Sequence, residues 1–454
     1  MSKHPILIAC LLAAATTTTA SAQLLGGVTQ PVTDTIGQVG GTIGDTVADP
    51  IGSIGDPTIS GVTGMAGGQR GRQAVVPISL DRVTQPIGAV TATAGQLAQL
   101  RKERLALLIK TYRKELDRDE QGQPVRKGQL IVADPNPASL SVAARAGFRV
   151  IADEQLGELG LRIVTLAIPR GMTAREGMSR LRAAAPELQA DYNHVFEPAG
   201  GALSPVGRRL AASAPVPGTR IAMIDGGVAS HPSLARAGIE QRGFAGPAQP
   251  TGHGTAIGSL LVGDQGSFRG AARGAQLFVG DVYGGSPAAG SATTIIRALG
   301  WAASKKPAVI NISLVGPGNH AMARAIAAIQ ARRIAVVAAV GNDGPAAPHQ
   351  YPASYPGVIA VTGVDGRDRA LREAGRSAHL DFAAPGADLV AALPGNGYTP
   401  VRGTSFAAPF VAARLAATGS TARLAAEAVP GKGKVGRGIV CRACRVLPKM
   451  VGIR

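Results

Sequence analysis

The chain has 454 residues, 45% hydrophobic and only 3% aromatic, and its 47 lysines and arginines exceed its 29 acidic residues to give a net charge of +18. This length exceeds one ordinary domain, the 61 glycines and 31 prolines exclude a coiled coil, and three cysteines exclude a disulfide-dense scaffold. The charge suggests nucleic acid, but the scarcity of aromatic residues and of any nucleic-acid motif argues against such a partner.

Residues 1–22 predict a secretory signal peptide. Lys3 and His4 precede an apolar run from Pro5 to Ala15, and Ala20-Ser21-Ala22 forms a small-residue cleavage site. The run is too short to span a bilayer as a helix, and no later segment is long and apolar enough to do so. We therefore expect an exported protein, secreted or periplasmic, without a transmembrane segment. An uncleaved N-terminal anchor is the alternative.

The next two segments differ in composition. Residues 23–93 are rich in glycine and threonine with few long side chains, which predicts a disordered linker or, alternatively, a surface-binding repeat. Residues 94–120 carry leucines at helical spacing among arginines, lysines and glutamates, which predicts an amphipathic helix. We expect this helix to lie on a neighbouring part of the protein, and a membrane surface is the alternative.

Residues 127–200 have the pattern of a small α+β domain. Apolar strands and amphipathic helices alternate in the order β-α-β-β-α-β, which is that of a ferredoxin-like fold. Residues 198–217 are rich in alanine, glycine, proline and serine, and predict an exposed connection.

From residue 218 to about 448 short, almost continuously apolar strands alternate with helical stretches. Strands of this kind are buried on both faces, so the pattern predicts an α/β domain with a doubly wound, mainly parallel sheet. Such sheets place their functional sites at the carboxyl ends of the strands.

Four polar residues lie where such a fold builds a site: Asp225, His253, Asn342 and Ser405. A serine hydroxyl needs an adjacent base to become a nucleophile, and histidine can accept that proton and return it to a leaving amine. An aspartate behind the histidine fixes its tautomer, and an asparagine amide can donate to a developing oxyanion.

The segments around these residues resemble those of the subtilisin-like serine peptidases, the subtilase family. The order Asp, His, Ser along the chain is that of subtilisin, and the resemblance extends over residues 218–442. Further family-like segments are Gly270–Leu277, Val309–Leu314, Tyr351–Val361 and Phe382–Gly386.

The resemblance implies a catalytic triad of Asp225, His253 and Ser405, with Asn342 as the oxyanion-hole side chain. It implies a substrate cleft lined by Ser313, Leu314, Val315, Gly316, Ala339, Val340 and Gly341. It also implies that residues 127–200 are a propeptide that assists folding and inhibits until it is cleaved. A permanent accessory domain is the alternative interpretation of this region.

Several positions depart from the family pattern, and three of them bear directly on the site. Gly226 replaces the usual Ser or Thr after the triad aspartate, which would remove a hydrogen bond to that carboxylate. Val315 and Val340 replace smaller residues, and we expect them to narrow the cleft against bulky side chains.

The function predicted is thus that of an exported serine endopeptidase made as a self-processing precursor, acting on proteins or peptides and on its own propeptide. The alternative is a catalytically weak surface-attachment or scaffold protein. No cofactor is required for this chemistry, structural calcium cannot be assigned, and no metal ligands are identified. Cys441 and Cys444 are expected to form a local disulfide rather than a redox centre.

Overall fold

The computed structural model describes residues 92–202 and 216–452. The predicted signal peptide and linker therefore lie outside the described residues, apart from the last two residues of the linker. None of the helices in the described part is both long and apolar enough to cross a membrane.

Helix α1 (Ala94–Thr111) opens the described chain. Thr93 caps it in a capping box, because the Thr93 side chain accepts from the backbone N–H of Gln96 and the Gln96 side chain accepts from that of Thr93. The prediction of a helix to residue 120 is wrong for its last part. The chain leaves the helix at Tyr112 and forms a short strand at Leu116–Arg118.

The region after α1 folds into one antiparallel sheet covered by two helices. The β-α-β-β-α-β order is present, and the four strands of that motif lie in the order β5-β2-β4-β3, with β1 joining along β2. Apolar side chains of α2, α3 and the sheet form a separate core. The elements are β1 (Leu116–Arg118), β2 (Pro124–Ala133), α2 (Pro137–Arg145), β3 (Arg149–Leu156), β4 (Leu161–Ala167), α3 (Ala174–Ala184) and β5 (Ala190–His194).

The remaining strands and α-helices, in chain order, are β6 (Glu197–Pro198), β7 (Gly201–Ala202), β8 (Arg220–Asp225), β9 (Gly238–Gly243), α4 (Gly252–Val262), β10 (Asp264–Gln265), β11 (Phe268–Arg269), β12 (Gln276–Asp281), α5 (Ala292–Ser304), β13 (Val309–Ile312), β14 (Leu314–Val315), α6 (His320–Ala331), β15 (Ala335–Ala339), β16 (Ile359–Val364), β17 (Phe382–Pro385), β18 (Leu389–Ala392), β19 (Tyr398–Arg402), α7 (Thr404–Thr418) and α8 (Thr421–Glu427).

The large sheet is parallel throughout, in the order β17-β16-β15-β13-β8-β12-β9. Apolar residues of α4 and α7 pack in one core on one face, and those of α5 and α6 pack in a second core on the other. Both faces of the central strands are therefore buried, which explains their continuous apolar runs. The predicted doubly wound α/β fold is confirmed.

Two features near the ends of this region complete the fold. Cys441 and Cys444 are joined in a disulfide. The prediction of an exposed connection from Pro198 is wrong for its first residues, because Pro198, Ala199 and Gly200 are buried. Residues 203–215 of that connection lie outside the described part of the chain.

Candidate active site

Asp225 and His253 are hydrogen bonded at the carboxyl end of the parallel sheet. Asp225 is the last residue of β8, and His253 lies in the first turn of α4. Nδ1 of His253 is 2.8 Å from Oδ1 of Asp225, and both side chains are buried. A carboxylate can only accept, so Nδ1 carries the proton and Nε2 is left as the basic nitrogen. Nε2 has no hydrogen-bond partner in the described part of the chain.

Thr251 occupies the space that a side chain at position 226 would need. Oγ1 of Thr251 caps α4 by accepting from the N–H of Gly254 at 2.9 Å. A Cβ atom at position 226 would lie 2.3 Å from that oxygen. Oδ1 of Asp225 accepts from the N–H of Gly226 at 2.7 Å, whereas Oδ2 has no partner among the described residues. Glycine is therefore required here by the local packing.

A second buried carboxylate holds the loop that leads to His253. Asp281 ends β12 beside Asp225 in the sheet and accepts backbone N–H bonds from Gln249, Tyr283 and Gly284 at 2.7, 2.8 and 3.1 Å. Burial raises the pKa of Asp281, while the three N–H donors act in the opposite direction. Because Gln249 directly precedes the Pro250-Thr251 entry to α4, this carboxylate stabilises the approach of the helix that carries His253.

Ser405 lies in the first turn of α7. A proline one turn further along the helix explains why the carbonyl group of Ser405 bonds to a residue outside the helix. Pro409 has no N–H, so the carbonyl oxygen of Ser405 is free of its usual helical bond and accepts from Oγ of Ser313 at 3.0 Å. Oγ of Ser405 in turn donates to the carbonyl oxygen of Ser313 at 3.0 Å. The structure thus does not form a Ser405–His253 hydrogen bond, and the hydroxyl must rotate about Cα–Cβ to make one.

Gly200 shows that Ser405 and His253 nevertheless face the same stretch of backbone. A Cβ atom built on Gly200 would lie 3.0 Å from Cβ of Ser405 and 3.3 Å from Nε2 of His253. Gly200 therefore lies close to both side chains that the sequence predicts as nucleophile and base.

Two N–H donors converge on the carbonyl oxygen of Ala199. The backbone N–H of Ser405 donates to it at 3.1 Å, and Nδ2 of Asn342 donates to it as well. Oδ1 of Asn342 accepts from the N–H of Thr404 at 2.9 Å, which fixes the orientation of the amide. This is the donor geometry that stabilises a negative charge developing on a carbonyl oxygen.

Gly403 permits this convergence. It precedes α7 with φ of 139°, a conformation that favours glycine, and a Cβ atom there would lie 2.8 Å from Nδ2 of Asn342 and 3.0 Å from Cα of Gly200. A side chain at position 403 would separate the helix from the bound backbone.

The chain on either side of Ala199 is held as an extended strand. Before it, β6 pairs antiparallel with β14, and the N–H of Ala199 donates to the carbonyl oxygen of Ser313 at 2.9 Å. After it, β7 pairs antiparallel with β19. Backbone pairing on both sides is a common way to bind an extended peptide to a sheet edge.

The predicted cleft residues contribute in different ways. Leu314 and Val315 pair with Pro198 and Glu197, and a Cβ atom at Gly316 would lie 2.5 Å from the Phe196 ring. Ala199 shares one buried apolar cluster with Val315 and Ala339, and a Cβ atom at Gly341 would lie 3.2 Å from Cγ1 of Val315.

Val340 differs from its neighbours, because it packs in the core on the opposite face of the sheet. Of the two valines expected to narrow the cleft, Val315 is thus the one packed with Ala199.

Sequence reasoning missed three residues that the structure places in contact with the candidate site: Ala199, Gly200 and Thr404. Thr404 supports Asn342 through its N–H, and its Oγ1 accepts from the N–H of Gly341 at 3.0 Å. Nothing in the local sequence distinguishes the Ala199–Gly200 bond from the other small-residue pairs between residues 198 and 217. Within the described ranges, no three His, Cys, Asp or Glu residues gather at a spacing that could hold a metal ion.

Comparisons with known proteins identify the family to which residues 217–426 belong. A sequence model of the subtilase family matches residues 217–426. Subtilisin Savinase from Lederbergia lenta is 34% identical over 209 residues, which cover 44% of this chain and 75% of that protein. Subtilisin DY from Bacillus licheniformis is 33% identical over 206 residues, 43% of this chain and 75% of that protein. The match to the alkaline protease of Alkalihalobacillus alcalophilus, 34% identical over 44% of this chain, covers only 53% of that longer protein.

Similarity of fold covers more of the chain than the sequence matches do. The crystal structure of fervidolysin from Fervidobacterium pennivorans, a keratinolytic enzyme related to subtilisin, aligns with a TM-score of 0.58 at 19% identity. The alignment covers 70% of this chain and 60% of that one, and at this identity it is a likeness of fold alone.

Proposed function

Because this chain belongs to the subtilase family of serine endopeptidases, we propose that Asp225, His253 and Ser405 are its catalytic triad and Asn342 its oxyanion-hole side chain. We also propose that residues 218–448 are the catalytic domain and that the precursor is exported, to the periplasm or the medium, by a signal peptide at residues 1–22. The protein then hydrolyses peptide bonds in protein substrates and in its own precursor, without a cofactor.

In the proposed reaction, Oγ of Ser405 attacks the carbonyl carbon while Nε2 of His253 takes the hydroxyl proton. The negative charge that forms on the carbonyl oxygen is stabilised by Nδ2 of Asn342 and the N–H of Ser405. His253 then gives its proton to the leaving amine, and an acyl-enzyme remains. Water repeats the same steps and releases the acid, while Asp225 stabilises the imidazolium and fixes its orientation.

The observation that carries this proposal is the position of the Ala199 carbonyl. Its oxygen accepts from both proposed oxyanion donors, and the following Gly200 lies against Ser405 and His253. The geometry is that expected of a bound substrate, since the reacting group must lie within reach of nucleophile, base and oxyanion donors together. Asn342 and Ser405 thus act on a segment of the same chain.

The self-processing bond follows from the same contacts. We propose that Ser405 cuts between Ala199 and Gly200, so that the mature enzyme begins at Gly200. The ferredoxin-like region predicted at residues 127–200 then acts as a propeptide that ends at Ala199. The residues before the cut, Phe196-Glu197-Pro198-Ala199, then remain as the end of the released fragment. The support is the pairing of β6 with β14 and of β7 with β19 around this bond.

The test is mass spectrometry of the purified full chain. The wild-type protein should yield a fragment that begins at Gly200, and the freed enzyme should react with a serine-directed fluorophosphonate. Ser405→Ala should stay intact and unlabelled, whereas Ser141→Ala, on an exposed position of α2, should behave as wild type. A wild-type chain that stays intact and unlabelled would contradict the proposal and favour a scaffold protein. Processing of Ser405→Ala at the same bond would exclude Ser405 as the nucleophile.

A further inference from the structure

Helix α1 lies against the segment that carries Asn342, outside the ferredoxin-like motif. A Cβ atom at Gly344 would lie 2.8 Å from Cδ1 of Leu97, so the leucine packs directly on this glycine. Leu97 is buried, as are Leu105 and Leu108 on the same helix. The helix thus has an apolar seam that is already in contact with the protein.

Two arginines of α1 point at the residue between Asn342 and Gly344. Nε of Arg101 is 2.9 Å from Oδ2 of Asp343, and Nη2 of Arg104 is 3.0 Å from Oδ1 of the same carboxylate. Arg101 is 7% exposed and Asp343 is 5% exposed. Both oxygens of Asp343 are therefore held by the helix, in an environment where water screens the charges poorly.

Arg104 also reaches the strand in the cleft. Its Nε and Nη2 donate to Oε1 and Oε2 of Glu197, each at 3.2 Å. Burial alone would lower the pKa of Arg104, but the charges of Glu197 and Asp343 more than offset it and raise the pKa above its usual value. One guanidinium thus joins the bound strand to the residue after Asn342.

Cleavage at the Ala199–Gly200 bond would divide these contacts in a definite way. Glu197 and both arginines remain on the N-terminal fragment, whereas Asp343 stays on the catalytic domain. The Arg104–Glu197 pair is then internal to the fragment, and the two contacts to Asp343 cross the new interface. Replacing Asp343 or Arg101 while the fragment is still bound would leave the other residue buried without its charged partner, which is costly.

We propose that Asp343 and Gly344 form a docking surface for a basic helix, and that α1 occupies it as a second inhibitory element beside the ferredoxin-like region. This inference rests on the proposed function. The arginine clasp, meaning Arg101 and Arg104 with Asp343 and Glu197, retains the cleaved fragment in the cleft and keeps the processed enzyme latent.

The test compares three full-length chains. Arg101→Gln/Arg104→Gln removes the clasp, and Lys102→Gln/Lys110→Gln removes the same charge from exposed positions of the same helix. After self-cleavage has been confirmed by mass spectrometry, activity on a fluorogenic peptide is measured against concentration of the processed complex. We expect the dissociation constant of the fragment to rise about tenfold or more in the arginine variant only. The reason is that this variant loses the charged contacts to Asp343, which contribute part of the binding free energy.

Asp343→Asn provides the same test from the catalytic side. It should also weaken retention of the fragment. Combining it with the arginine variant should add little, because both changes remove the same contacts between the two arginines and Asp343. Fluorophosphonate labelling of the freed enzyme separates weaker retention from a damaged active site.

The outcomes distinguish failure of the arginine clasp from failure of the proposed protease function. Cleavage with equal latency in all chains, or additive effects of the arginine and Asp343 changes, would overturn the clasp and leave the protease standing. Absence of cleavage and labelling in every chain, wild type included, would overturn both.

Discussion

Ser405 donates its backbone N–H to the carbonyl oxygen of Ala199 over 3.1 Å, so the proposed nucleophile polarises the carbonyl group it would attack. Ser405 can do this because it lies in the first turn of α7, where N–H groups have no partner within the helix. The hydroxyl of the same residue still donates to Ser313. The hydroxyl must therefore leave Ser313 before it can attack.

Replacement of Asn342 by Ala tests the oxyanion donors. The variant loses the side-chain donor to Ala199 and keeps the Ser405 N–H. In subtilisin, loss of the equivalent donor lowers kcat about 10²–10³-fold, and we expect a comparable loss here. Steady-state kinetics on a peptide substrate measure it, with Asn396→Ala on an exposed loop as the control. A rate close to wild type would remove Asn342 from the proposed mechanism.

Replacement of Gly200 by Ala tests the position of the bond to be cut. The new Cβ would lie 2.9 Å from Cε2 of Phe406 and 3.0 Å from Cβ of Ser405, so the backbone must shift away from the nucleophile. Small displacements of this kind slow catalysis, and we expect self-cleavage to slow by roughly 10- to 100-fold. The time course is followed by gel electrophoresis and mass spectrometry.

Gly157→Ala is the matched control for that variant, because a methyl group at position 157 would have no other atom within 4 Å and the φ of Gly157 is ordinary. If Gly200→Ala processes as fast as this control, the bond between residues 199 and 200 is not the one held against Ser405.

Enlarging Ala199 tests the narrowed cleft. Ala199 is buried in the same apolar cluster as Val315, which leaves little room for a larger side chain. We expect Ala199→Phe to slow cleavage by roughly tenfold or more and Ala199→Ser to have little effect. Val315→Gly should restore part of the rate in the Ala199→Phe chain. Rescue that fails would mean that Val315 does not limit the size of this side chain.

The close packing of Thr251 against Gly226 leads to a prediction about the free energy of unfolding. A serine at position 226 would collide with Thr251, and overpacking of this kind costs about 1–3 kcal/mol in free energy of unfolding. Thr251→Gly alone should cost only a few tenths of a kcal/mol, roughly, because glycine is an acceptable helix cap. Combining the two should recover part of the loss. Urea unfolding in the Ser405→Ala background measures all four chains, and strictly additive effects would argue against a direct clash.

The sequence predicts the fold because its signals are local. Apolar strands such as Ile221 to Ile224 are buried on both faces and form continuous apolar runs. The end of α1 differs from its prediction because Tyr112 and Leu116 continue the apolar spacing of the helix. Leu116 instead packs with Leu108 and Val195 in a small separate cluster, so a strand satisfies the same spacing. Periodicity alone does not separate these two outcomes.

The candidate site likewise contains residues that the sequence predicts and residues that it does not. Asp225, His253, Asn342 and Ser405 could be selected from their motifs, because catalytic chemistry requires those residue types next to glycine turns. Thr404 could not be assigned its contact to Asn342, because the donor is a backbone N–H, which every residue except proline carries.

By itself the sequence determined the parallel sheet, the chemical groups of the site and the family to which the chain belongs. Only the tertiary structure decided which peptide bond lies next to Ser405 in space and which groups hold that bond there. Arg101 and Asp343 are 242 residues apart, and Ser313 and Ser405 are 92 apart. No local pattern encodes such pairs, because their meeting depends on how β6, β14, α1 and α7 pack together once the chain has folded.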